Sequence, residues 1–258
     1  MPCDNDHLVG QLPEDELARL LKLTKRADSV ELKLTVPDTR RQATVSALGM
    51  DPLDAQLRQV YFFDTPDLSL DGHGVVVRAR RVQGRGDDTV IKLRPYVPGD
   101  APGIDRLEKL VVEVDAMPSG YVCSASLKGK LGSTPVKEVV AGTRSISQLF
   151  SQQQRKLFKT KVSNLVALDD LVILGPITVL KLKVSHADFG RPLVAELWLY
   201  PDGSRILELS AKCAPALGFQ VAAEMRAFLS SRGVDLSGEQ QTKTRAALEL
   251  FSKSLSET

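Results

Sequence analysis

The chain of 258 residues has little of what many functional classes need. Its three cysteines, Cys3, Cys123 and Cys213, are odd in number, far apart and without CxxC spacing, which excludes a disulfide framework and a cysteine zinc site and leaves free thiols of a reducing compartment. Its three histidines, His7, His73 and His186, are scattered among turn and polar segments and receive no role. Charge of one sign is missing too: 34 basic against 32 acidic side chains give a formal +2, so no global field points to nucleic acid or a membrane. No apolar run approaches the roughly 20 residues of a membrane span. Met1 to Asp6 is polar and acidic, unlike a signal peptide, and a soluble, cytoplasmic protein without a membrane partner is expected. No Ser-His-Asp or Cys-His pattern stands out, and the glycine pair Gly84 and Gly86 lacks the Lys-Ser/Thr of a phosphate-cradling loop.

What is present is strand-like. With 43% hydrophobic residues the chain can build one sizeable core, and a single domain over residues 1–258 is expected. Helical spacing over Glu14 to Arg26 leads into a strand pattern at Val30 to Val36, ended by Pro37. Further strands are predicted at Gln59 to Asp64, Val75 to Arg81, Thr89 to Arg94 and Leu107 to Val114, separated by turn chemistry such as Thr65-Pro66-Asp67. Residues 116–150 read as a Ser/Gly-rich connection with short helices near Val136 to Ala141 and Ile146 to Ser151. Strand spacing resumes at Arg155 to Val162, Val166 to Leu171, Ile177 to Val184, Leu193 to Tyr200 and Arg205 to Ser210, the last two joined by Pro201-Asp202-Gly203. Two amphipathic helices follow, one through Leu217, Val221, Met225 and Leu229 and one over Lys243 to Leu255, both expected on the outside of the sheet. This order reads as an antiparallel meander of class α+β, mainly β.

Several strands carry charges two residues apart, hence on one face: Glu31 with Lys33, Arg78 with Arg80, Lys92 with Arg94, and Lys181 with Lys183. For one strand this is simply the solvated face of an antiparallel sheet. Its repetition with paired basic residues suggests instead a barrel interior whose positive charge needs an anionic ligand. Trp198 and Phe62 read as core or interface residues, and Lys243 either lies near such an interior or merely opens the last helix, capped by Thr242, the latter being favoured.

At this point the residues resemble a family. Val30-Glu31-Leu32-Lys33-Leu34 is similar to the opening ExExK strand of CYTH proteins, the triphosphate tunnel metalloenzymes. Tyr61-Phe62-Phe63-Asp64-Thr65-Pro66-Asp67-Leu68, with Leu70, Gly74 and Val75 to Arg81, resembles their YxDTPxxxL…G…LRxR element, and Val90-Ile91-Lys92-Leu93 their TxK strand. Arg106-Leu107-Glu108 and Ala195-Glu196-Leu197 extend the likeness over roughly residues 28–212. It implies an eight-stranded antiparallel tunnel-like β-barrel in which basic side chains grip a triphosphate or polyphosphate while glutamates hold Mg²⁺ or Mn²⁺. Carried over, Lys33 would contact phosphate and position or deprotonate water. Arg78, Arg80, Lys92, Arg106, Arg155, Lys181, Lys183 and Arg205 would bind phosphates, and Glu31, Glu108, Glu196 and Glu208 would be metal ligands.

Two serines break the pattern: Ser29 stands where the first glutamate of ExExK is expected, and Ser210 closes Glu208-Leu209-Ser210 where Glu-x-Glu is common. A neutral hydroxyl is a poor ligand for a hard cation. The expected function is metal-dependent hydrolysis of inorganic triphosphate or of a small organic one such as thiamine triphosphate or a nucleoside triphosphate. The alternatives are a binder of polyphosphate or nucleotide without efficient turnover and, behind it, a class IV adenylyl cyclase, for which no base-recognising residues are found. Nucleic-acid binding by an external patch is the outsider. A monomer or homodimer is expected.

Overall fold

The computed structural model describes residues 14–162, 165–235 and 243–256. Nine strands, β1 (Ser29–Val36), β2 (Gln56–Asp64), β3 (Val75–Val82), β4 (Asp88–Leu93), β5 (Val111–Met117), β6 (Gly120–Lys130), β7 (Val172–Ser185), β8 (Pro192–Leu199) and β9 (Arg205–Cys213), close into one barrel. The order around it is β1-β5-β6-β4-β3-β2-β7-β8-β9, with β9 returning to β1. The helices are α1 (Glu14–Thr24), α2 (Arg41–Ala47), α3 (Ser69–Gly72), α4 (Pro102–Asp105), α5 (Pro135–Val140), α6 (Gln152–Val162), α7 (Gly218–Ser231) and α8 (Lys243–Ser256).

The period of two sorts each strand into an outer apolar and an inner polar face. On β1, Val30, Leu32, Leu34 and Val36 are buried while Glu31, Lys33 and Thr35 are half-buried on the other face. The main hydrophobic core lies outside the barrel wall, where Leu32, Val77, Ile91 and Leu209 belong to one cluster with Leu20 and Leu23 of α1, Val136 and Val139 of α5, Leu157 and Phe158 of α6, and Val221 and Met225 of α7. The lumen is therefore free to be charged. At the end where β3 and β9 begin and β8 finishes it turns apolar: Val60, Phe62, Ile177, Val179 and Trp198 pack with Ala247 and Leu248 of α8 and stopper the barrel. At the opposite end Lys128, Lys183 and Lys212 are exposed, and the lumen meets solvent.

The turn after β2 explains the Asp64-Thr65-Pro66 signature structurally. Asp64 is 2% exposed, and its carboxylate accepts from the backbone N–H groups of Thr65 and Leu70 through Oδ1 and of Asp71 through Oδ2, folding the chain back into β3. Gly74 follows at φ 69°, where a Cβ would stand 2.7 Å from the Arg94 carbonyl oxygen, so only glycine lets the two segments come this close.

Several expectations are corrected. The barrel has nine strands, and it is not wholly antiparallel, because β1 and β5 run parallel, Ser29 to Leu32 pairing Glu113 to Ala116. The strand missed is β6, within the supposed connection: Ser124 and Ser126 alternate with Cys123, Ala125 and Leu127, a period of two carried by side chains too small to announce it. The predicted strand Arg155 to Val162 is the helix α6, whose Gln154, Leu157, Phe158 and Val162 are buried at helical spacing. Val166 to Leu171 is mostly a 3-10 turn, Leu168–Asp170. The last helix, α8, packs against lumen-facing residues at the barrel end and not on the outer wall. Thr242, the expected cap of that helix, lies outside the described residues.

Candidate functional site

Two groups of charges face each other in the lumen. The first gathers on β1, β4 and β5. Asp115, fully buried, takes Lys33 Nζ at 2.7 Å, Lys92 Nζ at 3.5 Å and Arg94 Nη2 at 3.6 Å, and Lys33 also lies 3.1 Å from Glu31. Ser29 donates its hydroxyl to Glu113 at 3.3 Å, and Glu113 is also paired with Lys212 near the open end. Ligand oxygens of Glu31, Glu113 and Asp115 lie within 4.8 Å of one another. Three convergent carboxylates are the donor set a hard divalent cation takes, so these residues fit one.

The second group comes from β2, β3, β7, β8 and β9, with Asp88 at the start of β4 and Lys243 at the start of α8. Arg80 Nε pairs with Asp88 at 2.7 Å, Lys181 with Glu196 at 3.2 Å, and Arg58 is held by Gln56. Arg78 differs: its Nε is buried without a hydrogen-bond partner. Glu196 and Glu208 are directly opposed across β8 and β9, and both meet Lys243 from the start of α8, at 2.5 and 2.8 Å.

The proton affinities divide these cations into two kinds. Burial opposes charge on Lys33 and Lys243, yet Asp115 and Glu31 around the one, and Glu208 and Glu196 around the other, raise them above the ordinary lysine value. These carboxylates favour the ammonium form of both lysines. Burial, with Arg80 beside it, pushes Arg78 down to about 10, and burial also lowers Arg58, Lys92 and Lys181. These side chains are desolvated cations with too little negative charge around them. Burial would push the Asp115 carboxyl up, but Lys33, Lys92 and Arg94 hold it down at about 2.

The lumen thus brings together Glu31, Lys33, Arg78, Arg80, Lys92, Lys181, Glu196 and Glu208 of the residues predicted. Lys183 follows Lys181 on the same face of β7 but is exposed toward the open end. Four others lie elsewhere. Arg106 and Glu108 are exposed ahead of β5, which starts only at Val111, so they never enter the wall. Arg155 is exposed on α6 and donates to the Phe150 carbonyl. Arg205 has the outward parity of Leu207 and Leu209 and faces Asp38 at 3.8 Å. Sequence reasoning missed Arg58, Asp88, Glu113, Asp115 and Arg94 as site residues. Glu113-Val114-Asp115 carries the spacing-two signal, but Arg106-Leu107-Glu108 in the turn ahead of β5 shows the same pattern and masks it.

No protein-family model and no curated protein matches the chain. Solved structures do. HpAC1 from Hippeastrum, a proposed adenylyl cyclase described as having a dominant triphosphatase activity, is 18% identical and superposes with a TM-score of 0.61 over 87% of this chain and 95% of its own. A proposed adenylate cyclase from Bacillus halodurans, 14% identical, gives 0.59 over 85% and 97%. At these identities the likeness speaks for the fold alone, and the closed barrel with its charged lumen has the fold of a CYTH domain.

Proposed function

We propose that the lumen binds the triphosphate group of inorganic triphosphate or a small organic triphosphate and hydrolyses it with the help of Mg²⁺ or Mn²⁺. The observation that carries this is Arg78, a buried guanidinium with an unpartnered Nε, flanked by Arg58 and Arg80, deep in a barrel whose other wall bears three convergent carboxylates. A desolvated cationic cluster is costly unless an anion completes it. Phosphate oxygens suit it because arginine presents several donors in a rigid fork. A cation on Glu31, Glu113 and Asp115 would supply Lewis-acid polarisation of a phosphoryl oxygen. Phosphoryl transfer needs chiefly positioning and charge stabilisation, and the chain provides both: Arg58, Arg78, Arg80, Lys92 and Lys181 hold the phosphates, and Lys33 orients the oxygen nearest the carboxylates. The triphosphatase activity described for HpAC1 supports the same reading.

The shape of the lumen favours a ligand with a small head or none. Phe62 and Trp198, ring centroids 6.4 Å apart, are spent on the apolar stopper and are not offered to a nucleobase. A second reading, binding without efficient turnover, is favoured by Ser29 and Ser210, two lumen positions that hold hydroxyls. Phosphate release from inorganic triphosphate, ATP and thiamine triphosphate, with Mg²⁺, with Mn²⁺ and with chelator, measured beside calorimetric binding, separates the two. Metal-dependent release, fastest on inorganic triphosphate, is expected; tight binding with no release under any metal condition leaves the second reading.

A further inference from the structure

We infer that the Lys243 ammonium takes the place of a second divalent cation between Glu196 and Glu208, so that the lumen holds a single cation, on Glu31, Glu113 and Asp115. Only the role of that first cation rests on the function proposed above. Glu196 and Glu208 are a cross-strand pair with their side chains 14% and 7% exposed, and in an open lumen two such carboxylates would gather positive charge. Here the charge is supplied by the chain. Lys243 Nζ bridges both, and the remaining capacity of Glu196 is used by Lys181 on Oε1 and by the Trp198 indole N–H on Oε2. The lumen position two residues beyond Glu208 is Ser210, so among the described residues no third carboxylate completes a cation cage there.

The lysine is not a loose side chain that an arriving ion could push aside. Its ammonium lies 5.1 Å from the centroid of the Trp198 ring, and its own carbonyl oxygen accepts from the Tyr200 hydroxyl at 3.1 Å. One turn later Ala247 and Leu248 are 0% and 3% exposed within the apolar end of the barrel. These contacts hold the start of α8 in place, so the backbone from which Lys243 reaches the two carboxylates is fixed at the barrel end. The carboxylates of the other wall are also paired, Asp115 with Lys33, Lys92 and Arg94 and Glu113 with Lys212, but by side chains of the barrel strands, and oxygens of Glu31, Glu113 and Asp115 still converge within 4.8 Å of one another.

Mn²⁺ binding to the full chain, counted by electron paramagnetic resonance of the free ion, tests this. One site per chain is expected, abolished by Glu113→Gln and unaffected by Glu208→Gln. Lys243→Met should add a second site, which Glu208→Gln in that background removes. Trp198 is the single tryptophan of the chain, so its fluorescence reports the contested position: Mn²⁺ should quench it in Lys243→Met and leave it nearly unchanged in the wild type at concentrations that saturate the first site. Two sites in the wild type, one of them sensitive to Glu208→Gln, overturn the inference, as does a folded Lys243→Met that still binds one ion without quenching. Should Lys243→Met fail to fold, the wild-type count and the Glu208→Gln count decide alone. Phosphate release is read separately: a chain with the expected counts that hydrolyses no triphosphate refutes the proposed activity and leaves this inference standing.

Discussion

Arg78 and Lys33 show how the same lumen holds two cations in opposite circumstances. Arg78 is a desolvated guanidinium that no carboxylate among the described residues contacts directly, so its charge is held at a cost to stability that an anion bound as proposed would offset. Arg78→Met should leave the melting temperature unchanged or raise it, and should weaken triphosphate binding by about 100-fold, the size expected for losing a charge-assisted contact in a desolvated site. Calorimetry and thermal melts on the one variant check both signs, and a melting temperature that falls by many degrees would place Arg78 among the structural residues. Lys33 is the reverse case, locked to Asp115 at 2.7 Å. Lys33→Ala should cut turnover by at least about 100-fold. It should also lower stability, because Asp115 then keeps only its two longer ion pairs.

On the scale of the element, β1 shows what two serines do to a carboxylate site. Ser29 stands opposite Glu113 in the β1–β5 pair and already hydrogen-bonds to it. A carboxylate there would join Glu31, Glu113 and Asp115 as a fourth oxygen donor. Ser29→Glu should therefore tighten Mn²⁺ binding by about tenfold and make phosphate release more strongly metal-dependent, which isothermal titration and a metal-dependence curve measure. An unchanged metal affinity in a folded variant would separate the β1 end from the cation site. The partner element β5 makes this wall possible: running parallel to β1, it brings Glu113 level with Ser29 and Asp115 level with Glu31.

At the scale of the molecule, the inside-out arrangement, with the hydrophobic core outside the wall and ion pairs within, makes acid the natural denaturant. The Asp115 carboxyl is held at about 2, below the ordinary aspartate value, and Glu113 and Glu196 are also lowered. A depressed carboxyl contributes stability that is complete above its unfolded pKa and is lost as pH falls toward its folded one. For Asp115 the window is therefore about pH 4 down to about pH 2, and its share is on the order of 2 kcal/mol. Thermal melts over that range should fall more steeply for the wild type than for Asp115→Asn. A parallel pH dependence in the two proteins would remove Asp115 from the account.

The strands that could be read from the sequence were those whose alternating faces differ in kind, such as Val30 to Val36 and Val75 to Arg81, because a period of two with charge on one side and branched aliphatics on the other has no helical equivalent. Where the contrast is weak the reading failed. β6 puts serine against alanine and cysteine, and α6 puts charges at positions that suit a strand as well as a helix. Local patterning is enough to establish that several charged strand faces exist and that they are rich in arginine and lysine. It takes the folded chain to leave Arg106, Glu108, Arg155 and Arg205 outside, to bring Arg58, Glu113 and Asp115 within, and to set Lys243 between two glutamates far from it in sequence. The physical reason is that alternation fixes which residues share a face, whereas barrel closure, the parallel pairing of β1 with β5 and the docking of α8 are long-range events that decide which faces meet.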